Sequence, residues 1–138
     1  MLRVVLDTNV LISALAFQGE TRKIWDLAES KQFCLFSSPF ILSEVERNLL
    51  RLGLAADHTA ILMEELRRVA SVVEPSVKVS VIKQDETDNR ILECALEARA
   101  DVLVTGNLKH IRPVGSFAGI EILTPREFLT KYMSSPDC

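Results

Sequence analysis

The chain has 138 residues, 48% hydrophobic and 25% charged, the profile of one globular domain able to bury a core without disulfides. Sixteen Lys and Arg against nineteen Asp and Glu leave a net charge of −3, which excludes a uniformly basic coat for nucleic acid but not a local basic groove. The three cysteines, Cys34, Cys94 and Cys138, are scattered with no CxxC or Cys/His cluster, so neither a disulfide framework nor a zinc site is expected. Buried thiols and a reducing cytoplasm fit instead. No signal-peptide pattern opens the chain and no apolar run is long enough for a transmembrane helix, so no membrane association is expected.

The first strand is expected at about Arg3 to Leu6, because β-branched residues lead up to Asp7. Helical spacing follows from Thr8 to Ala16 and again from about Thr21 to Ser30, with Trp25 on the apolar side as core. Phe33 to Phe36 reads as a buried strand. Ser38 and Pro39 are a cap and first-turn proline for a helix running to about Arg51, on which Glu44 lies beside the apolar face. A further helix is expected from an Asp57 cap to about Ala70, with Ile61, Leu62, Leu66 and Val69 inward. Ser71 to Glu74 is strand-like, and a short extended segment follows around Val77 and Val79.

The stretch Gln84 to Asn89 carries three acids immediately before the helix from about Arg90 to Arg99. One acid suffices to cap a helix, so the excess points to ligation. Asp101 to Val104 is the next strand, ending at Thr105-Gly106-Asn107. Residues 109–113 read as a loop or single turn, Ile120 to Leu123 as the last strand, and Thr124-Pro125-Arg126-Glu127 as a capping sequence for a terminal helix. Strands that alternate with helices, and read as continuous apolar runs, predict a three-layer α/β/α fold with a mainly parallel sheet of about five strands. We expect one domain over residues 1–133 and a frayed tail over 134–138.

In such a sheet, strand ends and the helices that begin there share one edge. Asp7, Glu44, Asp88 and Asn107 all belong to that edge. Oxygen ligands gathered there suit Mg²⁺ or Mn²⁺, and a metal-activated water would support phosphodiester hydrolysis without a separate nucleophile. Neither His58 nor His110 is well placed for that part. Asp85 is a weaker acid candidate than Asp88.

At these residues the chain resembles the PIN-domain ribonucleases. The resemblance is carried by Val5-Leu6-Asp7-Thr8-Asn9-Val10-Leu11, Ser43-Glu44-Val45, the run Asp85 to Ala95, and the run Ala100 to Asn107. It spans about residues 2 to 130 and is closest to stand-alone prokaryotic VapC-like toxins of toxin–antitoxin pairs. It implies a metal-dependent endoribonuclease that prefers single strands. Asp7, Glu44 and Asp88 would be the catalytic metal ligands, and Thr8, Asn9 and Thr105 would orient ligands or waters. It also implies RNA as substrate, a small antitoxin as partner and a homodimer.

One residue departs from the family pattern: Asn107 stands where an Asp is common, and as a neutral amide it is a weak ligand. A second reading therefore stands beside the first, a degenerate PIN domain that binds RNA or a protein without cutting. Arg3, Arg22, Lys23, Arg47, Arg51, Lys109 and Arg112 are candidates for phosphate contacts, with Arg47 and Lys109 taken as substrate-binding, although scattered Lys and Arg are more often plain solvated surface. A receiver domain, a haloacid-dehalogenase-type phosphatase and a nucleotide-binding Rossmann or P-loop fold each lack a required residue, since Asp7-Thr8-Asn9 supplies neither a second Asp nor a Gly-rich turn.

Overall fold

The computed structural model describes residues 1–80, 82, 86–108 and 111–133. Six strands form one sheet in the order β3 (Ser71–Val72), β2 (Cys34–Ser37), β1 (Arg3–Leu6), β4 (Val102–Val104), β6 (Ile120–Leu123), β5 (Ser116–Phe117), parallel except at its last edge. β1 lies between β2 and β4, and these three are followed outward by β3 and β6. Val4, Val5 and Leu6 are all fully buried. Successive strand residues point to opposite faces, so both faces of β1 are covered.

The helices of the first half follow the sequence closely. α1 (Thr8–Ala16) is capped by the Asp7 side chain, and α3 (Pro39–Arg51) by Ser38 with proline in its first turn. α2 spans Glu20–Glu29, and Trp25 on it is fully buried. β2 starts one residue later than expected because its pairing with β1 sets Arg3 opposite Cys34. Phe33 instead enters the core, edge-on to Phe128 with ring centroids 5.5 Å apart.

Several expectations need correction. α4 spans Ala56–Val69 with Ala55 in the cap position and no side-chain cap bond. Asp57 lies inside the first turn, where its carboxylate accepts from the His58 N–H at 3.0 Å. Packing against the rest of the fold buries the stripe Thr59, Leu62, Met63 and Leu66 and leaves Ile61 56% exposed. β3 is only two residues long and exposed, and around Val77 and Val79 no strand forms among the described residues. α5 (Glu86–Glu97) begins earlier than expected, so Asp88 lies within its first turn rather than ahead of it.

The sheet gains a sixth strand, β5 (Ser116–Phe117), which forms an antiparallel hairpin with β6. Its turn residues Ala118 and Gly119 both have positive φ, 51° and 83°. A tight hairpin needs that geometry, but alanine seldom signals it. Residues 112–114 form a single 3-10 turn. α6 (Pro125–Phe128) opens with the expected Thr124–Glu127 capping box and continues as a wider turn to Met133.

Candidate active site at the strand ends

From β1 the chain moves to β2 and β3 on one side of the sheet, then returns to β4 on the other. The carboxyl ends of β1 and β4 therefore flank the topological switch point, where open α/β sheets leave a crevice for ligands. A cleft of about 190 Å³ occupies this position. Asp7, Thr8, Asn9, Glu44, Asn48, Thr87, Asp88 and Asn107 supply its polar lining, and Phe40, Ile91 and Ile111 its apolar walls.

Asp7 closes β1 and opens α1. Its N–H donates to the Val104 carbonyl at 3.0 Å, which continues the β1–β4 ladder by one step. One carboxylate oxygen accepts from the Val10 N–H at 3.0 Å and the other from the Thr105 hydroxyl. Only 4% of the residue is exposed. Burial raises its pKa above the usual carboxylate range and the charge of Asp88 adds to the rise, against the lowering effect of the Thr105 and Val10 hydrogen bonds.

Asp88 is brought to the cleft by the crossover. α5 returns antiparallel to the strands before β4, so its first turn lies at the strands' carboxyl ends. Asp88 is buried and accepts from the Asn107 side-chain amide at 3.2 Å. The Asn107 backbone N–H donates to the Thr105 hydroxyl oxygen at 2.9 Å. Thr105 thus accepts from one side of the cleft while donating to Asp7 on the other. Asn107 presents a donor to an acid, whereas the sequence suggested a weak oxygen ligand.

Glu44 also lines the cleft, but both of its oxygens accept from the Arg47 guanidinium one turn on. Among the described residues, no three acids, histidines or cysteines converge as they stand on one ion-sized position. Asp7 and Asp88 interact, and Glu44 is turned aside. Thr8 and Asn9 line the cleft, Asn9 exposed. Asp85, Lys109 and His110 lie outside the described residues.

The expected phosphate-contacting cations are mostly engaged elsewhere. Arg3 sits at the opposite end of β1, donating to the Ala98 carbonyl at 2.8 Å and covering the Phe36 ring. Arg22 pairs with Asp26, and Arg112 with Glu127. Arg47 touches a cleft acid, Glu44.

Two positioning residues were missed. Asn89 is fully buried; its oxygen accepts from the Ile82 N–H at 2.8 Å, and its amide donates to the Ile82 carbonyl at 2.6 Å. Glu93 is also buried and accepts from the Val79 N–H at 2.8 Å. Together they tie the segment before α5 to that helix and so fix the turn that carries Asp88. An Asn inside a helical first turn, where it is a weak helix former, was the available signal.

The donor set matches a divalent cation in kind. All three acids are hard oxygen donors, and Arg47 pairs with one of them, Glu44. Fold and site thus define an α/β domain with an acidic cleft at its switch point. The sequence model of the PIN domain matches residues 3–109, and the chain belongs to that family, whose members are generally nucleases that use divalent metal ions. It is 29% identical to an uncharacterized protein of Methanocaldococcus jannaschii over 95% of this chain and 92% of that one. Its fold is similar to that of a chain in the crystal structure of VapBC2 from Rickettsia felis bound to a DNA fragment from their promoter. The TM-score there is 0.64, at 15% identity, over 88% of this chain and 97% of the other.

Proposed function

We propose that this chain is a metal-dependent endoribonuclease, the toxin of a toxin–antitoxin pair, acting on RNA with Mg²⁺ or Mn²⁺. The observation that carries the reading is the gathering of Asp7, Glu44 and Asp88 around one cleft at the switch point of the sheet. When bound, the ion supplies a Lewis acid that acidifies water and offsets charge on the phosphoryl oxygens. Asp7 and Asp88 would hold it from opposite walls, and Glu44 would join on leaving Arg47. Thr105 orients the Asp7 carboxylate through its hydroxyl, and the released Arg47 would meet the substrate phosphate at the cleft mouth. Membership of the PIN-domain family supports the chemistry, and the fold likeness to a VapBC2 chain supports an antitoxin partner. A homodimer in the cytoplasm completes the reading.

The test is cleavage of single-stranded RNA with Mn²⁺ and Mg²⁺. Wild type should cut, Asp7→Asn should not, and Thr105→Val should need about 10- to 100-fold more metal, the usual cost of losing an outer partner of a ligand. Metal-dependent cutting that survives Asp7→Asn would remove the assignment. Asn107 favours one other reading, a PIN fold that binds RNA or a protein without cutting, because its amide leaves the cleft one negative charge short of the family pattern. A wild type inert at high Mn²⁺, together with an Asn107→Asp variant that cuts, would establish it.

A further inference from the structure

A second cavity, of about 250 Å³, lies beside the acidic cleft, and Phe40 belongs to the walls of both. It sits at the next strand ends along the edge. Ser38 and Pro39 border it where β2 gives way to α3, and Glu74 and Pro75 where the chain leaves β3. β2 pairs in parallel with β1, so the two strand ends lie only about 4.8 Å apart. An occupant of this cavity is therefore an immediate neighbour of anything bound at Asp7.

The charges at the cavity argue against a phosphate. Arg90 has one terminal nitrogen on Glu93 at 2.6 Å and on the Val79 carbonyl at 3.3 Å, while its Nε–H is buried out of reach of an occupant. Glu93 is in turn satisfied by Arg90 and the Val79 N–H. Those two charges offset each other. Glu74 remains, exposed, with no hydrogen-bond or ion-pair partner among the described residues. The cavity thus offers one available carboxylate, a net negative charge and a half-buried aromatic ring that makes no ring–ring contact among the described residues.

We propose that this cavity is a nucleobase subsite, that it takes the base next to the scissile phosphodiester, and that it selects guanine. This rests on the ribonuclease reading of the adjoining cleft. A flat wall such as Phe40 stacks any base, but a carboxylate discriminates by the donors it meets. Guanine presents two adjacent donors on its pairing edge, N1–H and the N2 amino group, which match the two oxygens of Glu74. Adenine and cytosine each present one amino donor beside a ring-nitrogen lone pair that the carboxylate repels. Uracil presents one N–H between two carbonyls. Because the pairing edge is read, the base must be unpaired, which accounts for a single-strand preference at the same stroke.

The experiment measures binding separately from cleavage. Labelled pentameric RNAs, with one guanosine, adenosine or cytidine in a uridine background, are titrated into the full chain in a metal chelator and followed by fluorescence anisotropy. The cleavage products of the same RNAs are then mapped with Mn²⁺. The guanosine RNA should bind roughly tenfold or more tightly than the adenosine RNA, the discrimination expected of one bidentate contact. Glu74→Gln should bring the two to within about twofold, and Phe40→Leu should weaken all the RNAs roughly fivefold or more.

Equal binding of all the RNAs, or a guanine preference that survives Glu74→Gln, would overturn the subsite. So would Glu74-dependent binding of a short lysine- and arginine-rich peptide without any base preference, which would assign the cavity to a protein partner. A protein that never cuts but keeps its Glu74-dependent guanine preference retains the subsite and loses the ribonuclease reading. One that cuts beside every base alike does the reverse.

Discussion

At the scale of single residues, the cleft is a balance of donors set against acids. Asn107 presents its amide to Asp88 at 3.2 Å, so an acid at 107 would place a second carboxylate against the first. Metal-free Asn107→Asp should therefore melt below wild type. Mn²⁺ should raise its melting temperature by more than it raises that of wild type, because an ion bound only by the folded state stabilises in proportion to its affinity. Paired thermal scans with and without Mn²⁺ check this, and equal shifts would contradict it. Arg47 bears on the same balance from the opposite wall, since it holds both oxygens of Glu44. The pair is half-exposed on the arginine side and worth at most about 1 kcal/mol. Arg47→Ala should then tighten Mn²⁺ binding by up to about fivefold, measured by calorimetry, while weakening RNA binding. Weaker metal binding would mean that Arg47 aims Glu44 rather than diverting it.

At the scale of elements, the site depends on how α5 is anchored. Asn89 closes two hydrogen bonds to the backbone of Ile82, so Asn89→Ala would leave a buried N–H and a buried carbonyl without their partner. The cost should be about 1–3 kcal/mol by urea denaturation, with a loss of metal affinity because Asp88 sits one residue away. An unchanged midpoint would show that the segment is held elsewhere. The other end of the chain is pinned by Glu127, which accepts from Arg112 at 2.9 Å and from the Thr124 N–H at 2.8 Å. Chiefly through the Arg112 hydrogen bond, its pKa falls from 4.5 to about 2. A depressed folded-state pKa contributes stability that is full above the unfolded value and is lost as pH falls through the folded one. The difference in melting temperature between wild type and Glu127→Gln should therefore be greatest above pH 4.5, shrink as pH falls through about 2 and approach zero below that. Gln keeps the capping contact, so the comparison isolates the charge.

At the scale of the whole molecule, the core joins the sheet to the helices on both faces. Cys94 on α5 is a probe of that closure: it is fully buried, and burial pushes its thiol pKa up to about 12. In native protein it should resist alkylation, with the modified peptide read by mass spectrometry, and should react only at the rate of global unfolding. Cys34, only partly buried, should react sooner. Rapid native labelling of Cys94 would mean that α5 opens independently of the sheet, and with it the wall that carries Asp88.

Much was legible in the sequence because it is local. Val4, Val5 and Leu6 specify a doubly covered strand, Ser38-Pro39 and Thr124-Pro125 mark helix starts, and the alternation of strands and helices specifies a parallel sheet whose edge collects Asp7, Glu44 and Asp88. Tertiary structure decided whatever depends on partners distant in the chain. β2 took its bounds from pairing with β1 rather than from its own apolar run. α4 turned Ile61 outward because the surface it packs on, not its own composition, chose the buried stripe. β5 exists only because β6 is there to pair with it. The same holds inside the site. The residue types required an acidic edge, but only the fold could place Thr105 on Asp7, the Asn107 amide on Asp88 and Arg47 on Glu44. The direction of a hydrogen bond is fixed by what stands opposite, and that is known only once the strands have crossed.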